Sequence, residues 1–159
     1  MLKPVKNNSV TPLSNGRIAI VASKYNARYV DSMLRAAKTV LAAAGVKDLQ
    51  IIRVPGAFEI PVIAAQLAHC EKNRPEVIIC LGVVIQGETA HAQLISEAVS
   101  QSLARLQVDY RLPVIHSVLL LGNEDQAKAR CLGKEHNRGT EAALTAIEMA
   151  RINRSFCGC

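Results

Sequence analysis

Tryptophan is absent from this 159-residue chain, and its aromatics are few: three tyrosines and two phenylalanines. Proteins that bind single-stranded nucleic acid interleave stacking rings with a basic stripe. Here the basic residues are dispersed, so nucleic acid is not an expected partner. The excess of 19 basic over 13 acidic residues, net +6, still suits an anionic small molecule. Long apolar runs are missing too. The longest, Val77 to Ile85, is too short to cross a bilayer, so no membrane partner is expected. Lys3 and Lys6 are not followed by an apolar segment, which predicts no secretory leader and a cytoplasmic location. The cysteines, Cys70, Cys80, Cys131, Cys157 and Cys159, are odd in number and irregularly spaced, as reduced thiols are. Cys157-Gly158-Cys159 offers two ligands and no local histidine, so no metal is expected.

Half of the residues are hydrophobic and the mean hydropathy is +0.17. A chain of this length buries roughly 68–70% of its unfolded surface without needing metals or disulfides. Residues 1–16 are polar and turn-rich and read as an arm, flexible or docked on a partner. Residues 17–156 read as a single domain and 157–159 as a tail.

Within the domain, short apolar runs alternate with helical patterns. Arg17 to Ala22, Leu49 to Val54, Val77 to Ile85 and Pro113 to Leu121 read as buried strands. Val30, Leu34, Ala37, Leu41 and Ala44 recur at helical spacing until Gly45. Further helices are predicted over Ile60 to Ala68, with Pro61 in the first turn, over about Ala90 to Leu106, over about Glu124 to Cys131 and over about Thr140 to Ile152. Strands joined by helices predict a four-stranded parallel sheet in a three-layer α/β/α sandwich, flavodoxin-like in outline.

Open parallel sheets bind ligands at the carboxyl ends of their strands. That rule selects Ser23 to Asn26, Pro55 to Glu59, Gln86 to His91 and Gly122-Asn123. Tyr25 and Phe58 fall inside these segments, where a ring can stack on a planar ligand or fill the edge of the core. Gly82 to Thr89 superficially matches a nucleotide phosphate loop, but Glu88 stands where the lysine would be, and no GxGxxG occurs. A smaller anion site survives. Gly87, Glu88 and Thr89 precede a helix, whose free N–H groups and dipole can hold one phosphate, with Thr89 as hydroxyl donor or cap. His91 follows in the first turn, where the dipole favours the uncharged imidazole that a general base needs. Arg130 and Arg138 flank the last turn and could bind phosphate, though periodicity cannot bring either to the Gly87 turn.

Val54-Pro55-Gly56-Ala57-Phe58-Glu59-Ile60-Pro61 and Gly82-Val83-Val84-Ile85-Gln86-Gly87-Glu88-Thr89-Ala90-His91 resemble the signature loops of the lumazine synthase (6,7-dimethyl-8-ribityllumazine synthase) family of riboflavin biosynthesis. Asn137 to Ala143 and Ile147 to Ala150 resemble its last helix, and the similarity runs from about Arg17 to Phe156. The resemblance implies condensation of 5-amino-6-(D-ribitylamino)uracil with 3,4-dihydroxy-2-butanone 4-phosphate, without metal or organic cofactor. An amine attacks the ketone to give an imine, phosphate is eliminated, and the ring closes with loss of water.

Carried over by position, Tyr25 would stack on the pyrimidine. Ala57, Phe58 and Glu59 would contact the ribityl group and ring, and Val83, Val84 and Ile85 would line the uracil pocket. Glu88 and Thr89, with Arg130, would hold the phosphate. His91 would move protons, and Arg138 and Glu141 would support the site. The resemblance also implies a pocket between neighbouring subunits of a pentamer, with His116 and its strand supplied by the neighbour. Shells of twelve pentamers occur in the family, and the turn from Arg130 to Asn137 has the length seen in shell-forming members. Riboflavin synthase is an implied partner. Ala92-Gln93-Leu94, His116, Leu120-Leu121 and Gln86 depart from the family's usual residues, which bears on affinity and pocket hydration more than on the reaction. They motivate an alternative, a non-catalytic flavin- or lumazine-binding or shell-forming homologue.

Overall fold

A computed structural model describes residues 12–134 and 136–157. Four strands, β1 (Arg17–Ser23), β2 (Asp48–Val54), β3 (Val77–Ile85) and β4 (Val114–Leu121), form one parallel sheet in the order β2-β1-β3-β4. Helices α1 (Ala27–Ala43), α4 (Glu124–Cys131) and α5 (Arg138–Cys157) cover one face of the sheet. Helices α2 (Ile60–His69) and α3 (His91–Tyr110) cover the other, beside a short 3-10 turn at Ala57–Glu59. This is the expected three-layer sandwich, with the flavodoxin-like strand order.

Burial explains the strand sequences. The central strands β1 and β3 are covered on both faces, so they are apolar almost without interruption. The edge strand β2 is half exposed and carries Asp48, Gln50 and Arg53. Its Asp48 accepts from Arg17 Nε at 2.6 Å across the register. β4 is the other edge, and it alternates buried Val114 and Val118 with exposed His116 and Leu120.

Helix ends follow local chemistry. α1 starts behind Asn26, whose left-handed backbone (φ 56°) asparagine tolerates better than most residues, and whose Nδ2 donates to the Val83 carbonyl at 2.8 Å. It stops at Gly45 (φ 78°), where Gly45 N–H bonds the Ala42 carbonyl and Val46 N–H the Leu41 carbonyl. α5 begins at Arg138, two residues before the predicted start. The buried Asn137 accepts the Gly139 N–H at 2.9 Å and so caps it. α5 runs on through Cys157, past the predicted end at Ile152, and Arg154 there holds Glu76 with two hydrogen bonds of 2.9 Å.

Of the expected arm, residues 1–11 lie outside the described residues, as does most of the Cys157-Gly158-Cys159 tail. The rest of the arm does not stand free. Leu13 is buried in the core, and its N–H donates to the Ala44 carbonyl at 2.8 Å. An apolar side chain within reach of the α1 C-terminus is enough to dock this stretch. Among the described residues no helix is long and apolar enough to cross a membrane.

Candidate active site

The strand order reverses direction between β1 and β3, and a cleft of about 620 Å³ opens there, at the carboxyl ends of the strands. Tyr25 and Asn26 reach it from the end of β1, Gly56 to Glu59 from the end of β2, and Val83 to Ile85 from the end of β3. Gly87, Thr89 and His91 close its rim. Tyr25 is 74% exposed and Phe58 60%. In a chain with so few aromatics, two open rings on one cleft are not core filler, and each offers a face on which a flat ligand can stack.

The turn after β3 is built to present N–H groups. Gln86 Nε2 donates to the Thr89 carbonyl at 3.0 Å and to the Gly87 carbonyl at 3.3 Å, which gathers the turn's carbonyls to one side. Among the described residues the N–H groups of Gly87, Glu88 and Thr89 have no acceptor. The His91 N–H reaches Thr89 Oγ1 at 3.4 Å. Free N–H groups, a hydroxyl and a helix N-terminus together can hold one phosphate group beside the His91 imidazole. Glu88 is exposed and borders neither this cleft nor the groove described below.

Glu59 is partly committed to the fold. Its Oε2 accepts the Gly56 N–H at 2.8 Å, which fixes the turn that carries Phe58 and leaves the second oxygen for a ligand. Further residues to which sequence reasoning gave no role also line the cleft, Asn26 and Glu124 among them. Asn26 ends the strand-end segment Ser23 to Asn26 that the topology rule selects, but no role was read for it. Glu124, anchored by the Tyr29 hydroxyl at 2.8 Å, sits one residue beyond the strand-end segment Gly122-Asn123.

The remaining expected site residues lie elsewhere. His116, Arg130, Arg138 and Glu141 line a second groove, also about 620 Å³, along the free edge of β4. Arg138, Ala142, Thr145 and Met149 form one stripe of α5 facing it. Arg138 is paired with Glu141. Arg130 is exposed and has no ion-pair partner among the described residues. His116 is seated against α3, where its Nε2 lies 2.7 Å from Ser100 Oγ, and desolvation lowers its imidazole below the ordinary range. One chain therefore presents these residues on two separate surfaces, one aromatic with the N–H turn and His91, the other carrying Arg130, Arg138 and His116.

The sequence model of one family, described as 6,7-dimethyl-8-ribityllumazine synthase, matches residues 15–154. Proteins of that name from Stenotrophomonas maltophilia, Pyrococcus furiosus and Kineococcus radiotolerans are each 39% identical to the chain. The first aligns over 144 residues, covering 89% of this chain and 91% of the relative. The second covers 88% and 87%, the third 83% and 81%. A match of this extent, on a fold that brings both signature loops to one cleft, shows that the chain belongs to the 6,7-dimethyl-8-ribityllumazine synthase family.

Proposed function

We propose that the protein forms 6,7-dimethyl-8-ribityllumazine from 5-amino-6-(D-ribitylamino)uracil and 3,4-dihydroxy-2-butanone 4-phosphate, in a site completed by the β4 groove of a neighbouring copy. The supporting observation is the division of the site residues. The rings, the N–H turn and His91 share one cleft, while Arg130, Arg138 and His116 line another surface of the same chain. Two different patches that complete each other make a head-to-tail contact, which closes into a ring. The ring is a pentamer or a multiple of pentamers.

The chemistry follows from what each group can do. Tyr25 and Phe58 hold the flat pyrimidine, Val83 to Ile85 wall it from water, and Ala57 and Glu59 take the ribityl chain. The turn N–H groups, Thr89 and the neighbour's Arg130 hold the phosphate, with Glu88 contributing its backbone. The substrate amine adds to the ketone and water leaves as the imine forms. His91 takes the proton whose loss expels phosphate, and the cationic cradle carries the departing charge. Ring closure releases a second water. Holding both reactants in register supplies most of the rate. Arg138 and Glu141 orient the neighbour's side of the pocket. The same reading puts the protein in the cytoplasm, with riboflavin synthase as the consumer of its product.

The test is formation of lumazine absorbance from both substrates. His91→Ala lowers kcat by about a hundredfold or more, in the roughly 10²–10⁴-fold range of acid–base catalysis. Arg130→Ala raises KM for the phosphate substrate alone. Wild-type turnover no faster than the uncatalysed reaction refutes the function, and unchanged constants in both variants refute the residue roles.

A further inference from the structure

We propose that Ser100 is a positioning residue that fixes His116 as a flat, uncharged imidazole protonated on Nε2, so that the ring offers a ligand its faces and not its nitrogens. That the ligand is the substrate's heterocycle rests on the function proposed above.

The donors and acceptors around the His116 ring leave it one arrangement of protons. Ile78 N–H bonds the Pro113 carbonyl and Gln86 N–H the Leu121 carbonyl, so odd-numbered residues of β4 pair with β3. Even-numbered residues then point their N–H groups toward the free edge. The Val118 N–H is one of these, and the His116 ring takes it, with Nδ1 accepting at 3.2 Å. A ring nitrogen that accepts from an N–H carries no proton of its own. Nε2 lies 2.7 Å from Ser100 Oγ. The Ser100 hydroxyl proton is already committed, because Oγ donates to the Ser96 carbonyl at 2.7 Å. Only a lone pair is left for the ring, so Nε2 carries the hydrogen. Every group in the chain from Val118 to Ser96 is then satisfied once, with a single proton on the imidazole.

A second proton would have to sit on Nδ1, donor facing donor, and would expel the Val118 N–H. Desolvation against α3 opposes the charge in the same direction. The charged and titratable neighbours do not restore it. On α3, Glu97 stands one turn before Ser100 and is held by the Gln93 amide at 2.8 Å, and Arg105 engages Asp109 at 3.2 Å. On β3 the register partner is Cys80, a buried thiol whose ionisation burial pushes out of reach. Across β4 the groove holds Arg130 and the Arg138–Glu141 pair. None of these accepts a hydrogen bond from the ring. The lock also spends one N–H of an exposed sheet edge on the chain's own side chain.

Magic-angle-spinning ¹⁵N spectra of the assembled, ¹⁵N-histidine-labelled protein read the tautomer directly, with His116→Phe identifying the signal. The wild type is expected to show one protonated nitrogen, Nε2, and a midpoint below the ordinary imidazole value of about 6.5. Ser100→Ala is expected to release the ring from its seat on the Val118 N–H, so that the tautomers mix and the midpoint rises, and Ser100→Thr to restore the wild-type spectrum. With substrates, Ser100→Ala should raise KM for the ribitylaminouracil several-fold at acid pH, with kcat within about twofold, and Ser100→Thr should reverse it. A wild-type ring protonated on Nδ1, or a Ser100→Ala spectrum identical to wild type, overturns the lock. A changed spectrum with an unchanged KM overturns the ring's place at the substrate. A wild type that makes no lumazine fails the proposed function alone, since the spectrum is read without turnover.

Discussion

Replacing Asn137 by alanine removes one buried side chain that holds two helix ends together. Its Nδ2 donates to the carbonyl of Cys131, the last residue of α4, at 2.6 Å, and more weakly to Ser32 Oγ on α1 at 3.4 Å. Its Oδ1 accepts the Gly139 N–H at the start of α5. The residue is 6% exposed, so water does not replace these bonds at no cost. Losing a helix cap costs about 0.5–2 kcal/mol. Orphaning a buried carbonyl costs about 1–3 kcal/mol. The sum, about 1.5–5 kcal/mol, is a large part of the roughly 5–15 kcal/mol that holds a domain together.

Urea unfolding followed by circular dichroism measures the loss. All variants must be compared at one protein concentration, because association in the proposed ring would add apparent stability by mass action. Asn137→Asp separates the two contributions. A carboxylate still accepts the Gly139 N–H and suits a helix N-terminus, but its second oxygen faces the Cys131 carbonyl with no proton between them. About half of the alanine loss is expected to remain. Arg130 and Arg138 flank this turn, so Asn137→Ala should also weaken the phosphate substrate's KM. A loss under about 1 kcal/mol for alanine, or an aspartate variant as stable as wild type, refutes the two-ended clamp.

Gly139→Ala should be worse, by at least about 3 kcal/mol or to the point of insolubility, because a Cβ there would overlap the Met33 backbone of α1. Gly87→Ala has open space around it and should leave unfolding within about 0.5 kcal/mol of wild type, which makes it the control. His116 has a folded-state pKa below its unfolded one, so below the unfolded value the unfolded chain binds more protons. Stability present above about pH 6.5 is therefore lost as pH falls through the window beneath it. In His116→Phe that part of the pH dependence should vanish; an unchanged slope between pH 5 and 7 would count against the lowered imidazole.

How much of this was legible in the sequence depends on the range of the interactions. β3 and α4 have the bounds their patterns predict, Val77–Ile85 and Glu124–Cys131, because an uninterrupted apolar run and a polar helix each carry local signals. α3 runs past the predicted Leu106 to Tyr110, where Arg111 turns left-handed (φ 49°), and no apolar stripe marks that stop. Leu13 docks by a buried side chain and one backbone hydrogen bond to the end of α1, which an isolated leucine in a turn-rich segment does not announce. The cleft was legible because ligand position in a parallel sheet is a property of topology. The β4 groove was not, since it joins the free edge of a strand to a stripe of α5 that no motif links. Ser100 was legible only as a small residue on a helix. Its role depends on which strand residue faces it, and register is a tertiary fact.

The separation of the two half-sites permits a test that neither mutant gives alone. His91→Ala spoils the cleft of every subunit and leaves its β4 groove intact; Arg130→Ala does the reverse. If each working site draws its cleft from one copy and its groove from the next, each homogeneous variant is uniformly impaired. When the two are unfolded, mixed in equal amounts and reassembled, about one quarter of the head-to-tail seams pair an intact cleft with an intact groove. Those seams should recover wild-type KM for the phosphate substrate together with wild-type turnover, so activity should rise to about a quarter of the wild-type rate. A site contained within one chain predicts the opposite, because no reassembly of singly damaged chains makes a whole one. Mixed assemblies with only the average activity of the two variants would place Arg130 and His91 in the same subunit's site, and the shared seam would have to be abandoned.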